Sequence, residues 1–294
     1  MEYPIYTQGM NSINRELIIH AWGGIGSQLF AVALLKDLQK VHPKRKMVIL
    51  LHTGGVTRRV PEVVELFPEI SFNYKDDYSV SRVGSNVSTS NLRMMFAPFL
   101  RQLFSLARIL QSCNDDSSFQ RVNFWTRLIR GHYSYRTISK EFLELLNTRI
   151  QSNTRNVNID SELCSIHYRL GDLLLLEDKH PIAPEAILCE LERVSNIFNF
   201  SKIEIYSDSP SQAYELLNPN RRLNIITHEA DPVSVMARAI QSEYFLGTSS
   251  KVSFWIVAIR SVIFEKQSSI PAHNFREISG LLNKDLRRVN LYDA

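Results

Sequence analysis

The stretch Ser165-Ile166-His167-Tyr168-Arg169-Leu170-Gly171-Asp172 decides the fold. An apolar run suited to a buried strand ends here in His, Arg and Asp. Strands of a parallel sheet hide their side chains, so charges gathered at a carboxyl end need a reason. In open α/β sheets that end borders the ligand crevice. An Arg there offers a planar fork of donors matched to phosphate or carboxylate. The plainer reading is an ordinary strand end carrying a solvated Arg–Asp pair, and a second segment decides between them.

That segment is Trp22-Gly23-Gly24-Ile25-Gly26-Ser27-Gln28-Leu29-Phe30. The short apolar run Leu17-Ile18-Ile19-His20 precedes it. Leu29, Phe30, Val32, Ala33, Leu34, Leu35 and Leu38 follow at helical spacing. Strand, glycine turn and helix together aim backbone N–H groups at an anion, or let a ligand approach the main chain. Gly24, Gly26 and Ser27 are the positions where that approach is expected. A dinucleotide fingerprint is not met, because Leu29 stands where the third glycine belongs. The next strand, Met47-Val48-Ile49-Leu50-Leu51, ends in His52-Thr53 with no acid to hold a ribose. A P-loop fails as well, since no Gly-Lys-Ser/Thr follows.

Taken together, the two segments resemble the α1,2-fucosyltransferases of glycosyltransferase family 11, and more widely the α1,6- and protein O-fucosyltransferases. Ile203-Glu204-Ile205-Tyr206-Ser207-Asp208-Ser209-Pro210 looks like the family's strand ending in Ser-Asp-Asp. Asp231-Pro232-Val233-Ser234-Val235-Met236, then Tyr244-Phe245-Leu246-Gly247-Thr248-Ser249-Ser250-Lys251-Val252-Ser253-Phe254-Trp255, looks like its closing motif of paired serines before a helix. The matches run in the family's order over residues 17–36 and 160–262, and residues 70–155 match nothing.

The resemblance implies an inverting, GDP-fucose-dependent transferase acting on a glycan or lipid-linked oligosaccharide in bacterial surface-polysaccharide assembly, such as O-antigen or capsule. It implies that His167 and Arg169 contact the donor nucleotide and its diphosphate. Asp208, Ser249 and Ser250 join them, and Asp231 sits where relatives place an acid near the guanine or ribose. Glu177 is the leading base for the acceptor hydroxyl, because the α1,6-type relatives place a Glu at the same distance after the motif His. His180-Pro181-Ile182 echoes those relatives too. Asp172 and Asp178 are the alternative bases, and Asp172 alternatively orients Arg169. Two departures matter: Leu170 stands where relatives carry a second Arg, and Ser27 where they carry Asn. These leave open another GDP-sugar, such as colitose or mannose. A non-catalytic nucleotide- or glycan-binding protein of the same fold is the rival from another class.

The charge chemistry is argued from residues. A nucleotide-sugar transferase must hold a diphosphate that gains negative charge as the glycosidic bond breaks, and many use a divalent metal on an Asp-x-Asp motif. Asp76-Asp77 and Asp115-Asp116 have no apparent strand before them and read as solvated loop acids. Arg169, the Ser249–Ser250 hydroxyls and the following helix N-terminus can supply the compensating charge. No cofactor and no metal is therefore expected. His20, at the end of the first strand, is either a cleft-facing group or a satisfied core histidine.

Composition sets wider bounds. The 294 residues, 44% hydrophobic, can build two α/β cores. A net charge of +4 is too mild to argue for nucleic acid, and suits an anionic donor or an acceptor at an anionic membrane surface. Cys113, Cys164 and Cys189 show neither metal nor disulfide spacing and read as reduced thiols. No signal-peptide pattern opens the chain. No uncharged apolar run reaches the ~18 residues that span a bilayer. A cytoplasmic protein, in peripheral contact with the inner membrane surface at most, is the expectation.

Along the chain, residues 16–52 read as a βαβ unit and Val60–Phe67 as a short helix. Ser79–Asn91 and Gln111–Ser118 read as polar loops. Met94–Leu110 is apolar but carries Arg101 and Arg108 on one helical face. It is either a core-packed helix with a basic stripe, or a surface helix touching membrane or a lipid-linked acceptor. The arginines between Arg121 and Arg136 lie among aromatics and suggest an interdomain or acceptor-side surface rather than nucleic-acid binding. The polar stretch 151–156 is the best linker, giving an N-terminal acceptor-side domain, 1–155, and a C-terminal GDP-sugar domain, 156–294. Beyond it, strands at 162–168, 202–206, 223–227, 243–247 and 261–264 alternate with helices at 184–198, 210–217, 232–241 and 250–260, which predicts a parallel, doubly wound sheet. The expected fold class is α/β: two Rossmann-like domains facing across a cleft, the GT-B architecture.

Overall fold

The computed structural model describes residues 16–54, 58, 60–77, 102–154, 162–171, 173, 181–218, 223–229, 231–274 and 288–294. The expected loop Ser79–Asn91, residues 94–101 of the apolar stretch, and Asp172, Glu177, Asp178 and His180 lie outside the described residues. The chain divides into two compact units, 1–136 and 137–294.

The first unit is built on a parallel five-stranded sheet in the order β3-β2-β1-β5-β4. Its strands are β1 (Leu17–Ala21), β2 (Met47–His52), β3 (Phe72–Lys75), β4 (Leu110–Ser112) and β5 (Leu128–Arg130). β1 is central and lies in register with β2 from Leu17↔Met47 to Ala21↔Leu51, and with β5 at Ile18↔Leu128. Helix α1 (Ile25–Val41) crosses from β1 to β2 and buries Leu29, Phe30, Val32, Ala33, Leu34, Leu35 and Leu38. Its apolar positions run almost all round because it is enclosed. Short helices α2 (Val63–Leu66) and α3 (Asp116–Phe119) complete the named elements.

Three strands here escaped the sequence. β3 reads Phe-Asn-Tyr-Lys and is largely exposed, because it is an edge strand with no apolar run. β4 and β5 have three residues each. The expected polar loop Gln111–Ser118 is in fact the end of β4 followed by a capping box, in which Asp115 accepts from the Ser118 N–H at 2.7 Å. Residues 102–106 are helical and exposed, Leu106 at 81%, so this part of the apolar stretch is a surface helix and not a core-packed one.

The second unit holds a parallel six-stranded sheet in the order β11-β10-β9-β6-β7-β8. The strands are β6 (Leu163–His167), β7 (Lys202–Tyr206), β8 (Ile225–His228), β9 (Tyr244–Gly247), β10 (Ser268–Pro271) and β11 (Val289–Tyr292). Helices α5 (Pro184–Ser195), α6 (Pro210–Leu217), α7 (Pro232–Gln241) and α8 (Lys251–Val262) connect them. Three of these start with proline at the first turn, where its missing N–H costs nothing. The strand expected at 261–264 is instead the end of α8 and the turn after it, and the strand begins at Ser268. Taken from β6, the order is that of a doubly wound nucleotide-binding sheet, and its switch point lies between β6 and β9.

The division falls before helix α4 (Lys140–Asn153), ahead of the polar stretch 151–156 read as linker. α4 buries Phe142, Leu143, Leu146 and Ile150, and Phe142 meets Trp255 of α8 edge to face at 5.8 Å. That apolar face ties α4 to the second core.

Candidate functional site

In the second unit the carboxyl ends of β6, β7 and β9 converge on one loop, 168–171. The Asp208 carboxylate, just beyond β7, accepts the N–H groups of Leu170 and Gly171 at 2.8 and 2.9 Å. Thr248, just beyond β9, donates to the His167 carbonyl at 2.8 Å and accepts the Arg169 N–H at 3.3 Å. The backbone carrying Arg169 is therefore clamped from both neighbouring strands. Gly171 is required by this closeness, since a Cβ there would stand 2.8 Å from Asp208 Oδ2. His167 Nδ1 bonds Ser253 Oγ at 2.8 Å. Burial pushes the His167 imidazole down to about 4, Asp208 opposing and Arg169 reinforcing the shift, so the ring is neutral at pH 7.

The other expected donor residues lie around the same sheet edge. Ser249 Oγ pairs with His273 Nε2 at 2.5 Å. Ser250 is the N-cap of α8 and accepts the Val252 N–H at 3.2 Å. Asp231 is the N-cap of α7, its Oδ1 accepting from Val233 and Ser234, each at 3.0 Å. In this structure, Asp208, Ser250 and Asp231 thus hold backbone. Of the expected catalytic groups, Arg169 belongs to this cluster, and Glu177 and Asp172 lie outside the described residues.

The glycine turn belongs to the first unit. Gly23 takes φ +90°, and a Cβ there would meet Ser27 Oγ at 2.9 Å. Gly24 is the N-cap of α1 and accepts the Ser27 N–H at 2.9 Å, while Gly26 lies buried in the first turn. Gln28, quoted in the motif without a role, is buried. Its amide donates to the carbonyls of Gly23 (3.1 Å) and Val60 (2.9 Å), fastening the turn to the segment before α2.

Beside that turn is a cluster the sequence reading missed. His20 Nδ1 and His52 Nε2 are 2.9 Å apart, and His52 Nδ1 is 2.6 Å from Asp77 Oδ2. Asp77 Oδ1 also accepts the Gly54 N–H at 2.8 Å. Trp22 stacks on His52 with ring centroids 4.3 Å apart, and the Arg130 guanidinium lies 5.6 Å from the Trp22 ring centre. The reading of Asp76-Asp77 as strandless loop acids is corrected: β3 ends at Lys75, directly before them. Asp76 is exposed and pairs with Arg58 at 2.9 Å, whereas Asp77 turns in to His52. Asp115-Asp116 likewise follows β4 closely, and Asp115 serves as a helix cap. The available signal was that neighbouring strands β1 and β2 both end near histidines.

Burial lowers His20 to about 4, with Arg130, His52 and Lys75 adding to the shift. Burial also lowers His52, more than the Asp77 bond and charge raise it. For Asp77, burial acts upward, but the bonds from His52 and the Gly54 N–H outweigh it and hold the carboxyl below its ordinary range. Among the described residues, no helix is long and apolar enough to cross a membrane.

No protein-family model matches the sequence, and no curated protein matches it either. Among solved structures, the E. coli heptosyltransferase WaaC with ADP superposes at TM-score 0.50 and 10% identity, over 95% of this chain and 93% of its own. POFUT1 in complex with GDP gives TM-score 0.45 and 11% identity over 87% and 97% of the two chains. The UDP-GlcNAc 2-epimerase from Neisseria meningitidis bound to UDP-GlcNAc gives 0.41 and 9% over 87% and 82%. The first likeness shows the fold and the weaker two add nothing to it: two parallel α/β sheets, as in GT-B glycosyltransferases.

Proposed function

We infer that the protein is a glycosyltransferase that takes a sugar from a nucleoside-diphosphate donor held by the second unit. The observation that carries this is the clamped loop 168–171 at the switch point, where Asp208 and Thr248 fix the backbone of Arg169 beside the N-terminus of α8. A guanidinium and a helix N-terminus at that edge suit a diphosphate. WaaC, of like fold, holds ADP. The His-x-Arg-x-Gly-Asp and Gly-Gly-x-Gly motifs favour GDP-fucose as donor and inversion at the sugar. The acceptor is then a glycan or lipid-linked oligosaccharide, and exposed Leu103, Phe104 and Leu106 offer the apolar surface a membrane-borne acceptor calls for. Leu170, in place of a second Arg, favours a second reading in which the donor is another GDP-sugar.

In the reaction the acceptor oxygen attacks the anomeric carbon as the carbon–oxygen bond to the diphosphate breaks. The electron pair leaves with the nucleoside diphosphate, and the acceptor proton passes to a base. Arg169, the Ser249 hydroxyl and the α8 N-terminus offset the charge that grows on the leaving group, so the reaction runs without metal. On resemblance, Glu177 is the base.

The test is GDP release from GDP-fucose in excess EDTA, with and without lactose as acceptor probe. Turnover that falls at least 100-fold in Arg169→Ala supports the reading. GDP binding with no turnover in either condition makes the protein a binder and ends it.

A further inference from the structure

We propose that the first unit docks on an anionic phospholipid surface through the amino end of its sheet, the end opposite the glycine turn and the His20–His52–Asp77 chain. This goes beyond the transferase reading, which asks only that the acceptor be membrane-borne, and it concerns the first unit alone.

In a parallel sheet the segments that lead into the strands meet at one end. Three of them are bonded together here: 42–46 before β2, 102–109 before β4 and 123–127 before β5. The Ile109 N–H donates to the Phe104 carbonyl at 2.9 Å, and the Ile109 carbonyl accepts from Arg127 at 2.8 Å and Leu128 at 3.0 Å. Arg45 donates to the Asn123 carbonyl at 2.9 Å and to the Thr126 carbonyl. The turn between those two carbonyls is closed on itself. Asn123 Oδ1 accepts the Trp125 N–H at 2.9 Å, and Thr126 Oγ1 accepts the Asn123 N–H at 3.2 Å.

This fastened backbone holds five large apolar side chains out in water. They are Leu103, Phe104 and Leu106 on the first segment, and Phe124 and Trp125 at the tip of the turn. Trp125 is 66% exposed and meets Phe124 edge to face at 5.8 Å. Every residue from 102 to 108 is exposed. One exposed apolar residue is ordinary, whereas five on two bonded segments mark an interaction surface. The same segments carry Lys44, Arg45, Lys46, Arg108 and Arg127. The acids described at this end are already paired: Glu16 with Lys46 at 2.8 Å, and Glu69 with Lys36 at 3.0 Å. Arg108 takes φ +57°, which glycine would adopt more easily, yet a long cation stands there.

Aromatic and aliphatic side chains ringed by Lys and Arg suit a bilayer interface. The apolar groups enter the headgroup boundary, Trp at its preferred depth, while the cations meet lipid phosphates. Burial and the nearby Arg127 charge both hold the Arg45 guanidinium below its ordinary range, a crowding that an anionic surface relieves. Leu103 and Leu106 give a nucleic acid no ring to stack on. A second copy, related by a two-fold axis, would set the cations against themselves.

The experiment is sedimentation of the full chain with vesicles of phosphatidylcholine alone, or of phosphatidylcholine and phosphatidylglycerol in equal parts. Wild type binds the mixed vesicles about tenfold more tightly or better, and added salt removes the difference. Trp125→Ser, and separately Lys44→Gln combined with Arg108→Gln, each lower that affinity about tenfold. Their melting temperatures stay at the wild-type value, because all three side chains are exposed. Tryptophan emission shifts to the blue on the mixed vesicles, and the shift is lost in Trp125→Phe, which a folding defect does not explain. Equal binding to both vesicle types, binding to neither, or full binding by Trp125→Ser overturns the proposal. A concentration-dependent dimer that Trp125→Ser abolishes, with no vesicle binding, assigns the patch to a second copy and overturns it too. GDP plays no part in the assay, so each result leaves the transferase reading to its own test.

Discussion

The Asp208 carboxylate holds Gly171 by accepting its N–H at 2.9 Å, and the glycine is the residue that lets the carboxylate come so close. Each needs the other, and together they set the backbone on which Arg169 is mounted. Gly171→Ala must push Asp208 away, because its Cβ would lie 2.8 Å from Oδ2. The expected result is at least tenfold weaker GDP binding by calorimetry, with a stability loss of about 1–3 kcal/mol from the disturbed bonds. Asp208→Ala should reproduce both effects, since it orphans the same two N–H groups.

Stability should fall as pH drops from 6.5 toward 4. His20 and His167 both have folded-state values of about 4 against an ordinary 6.5. Between those limits the unfolded chain binds protons that the folded chain refuses, so acid favours unfolding. Each histidine contributes a slope of up to about 1.4 kcal/mol per pH unit in that window. Urea unfolding at pH 7, 6 and 5 reads the slope, and His167→Asn should flatten it.

Arg260 is a structural arginine. It is fully buried in α8 and donates to the carbonyls of Ala239, Ile240, Ser242, Glu243 and Gln267 and to the Ser268 hydroxyl. Arg260→Met leaves those carbonyls without their donor, and the expected cost is about 3 kcal/mol or more. The midpoint of urea unfolding checks it.

Gln28→Ala removes the amide that joins Gly23 to Val60. A loss of about 0.5–1.5 kcal/mol in unfolding free energy is expected, since two partly buried hydrogen bonds are lost. GDP affinity, a property of the other unit, should stay unchanged.

The second unit was readable from β6 to β9 because apolar residues recur in each of those short strands and each connecting helix begins with a proline or a cap. Strand β7 and helices α6 and α7 stand at the residues expected. Asp231 and Ser250 were singled out from a family pattern, and the structure gives both a local task as N-caps, which a capping rule alone would have found. The first unit was legible through its βαβ start and the short helix α2, which lies within the expected Val60–Phe67. Its edge strand Phe72–Lys75 is four residues long and largely exposed, too short for its Phe72/Tyr74 alternation to announce that Asp77 follows a strand. The meeting of His52 and Asp77 depends on the β2–β3 register, His52↔Lys75, which is a tertiary fact. Arg260 carries no signal at all, since most of its partners are main-chain carbonyls at the end of α7 and in the segments that follow α7 and α8.

The most direct measurement of the central claim is calorimetric titration of wild type and Arg169→Ala with GDP, GDP-fucose and UDP-galactose in the presence of EDTA. The account predicts micromolar binding of GDP and GDP-fucose that drops at least 30-fold in Arg169→Ala, with UDP-galactose weaker throughout. Binding indifferent to Arg169, or a preference for UDP-galactose, would contradict it.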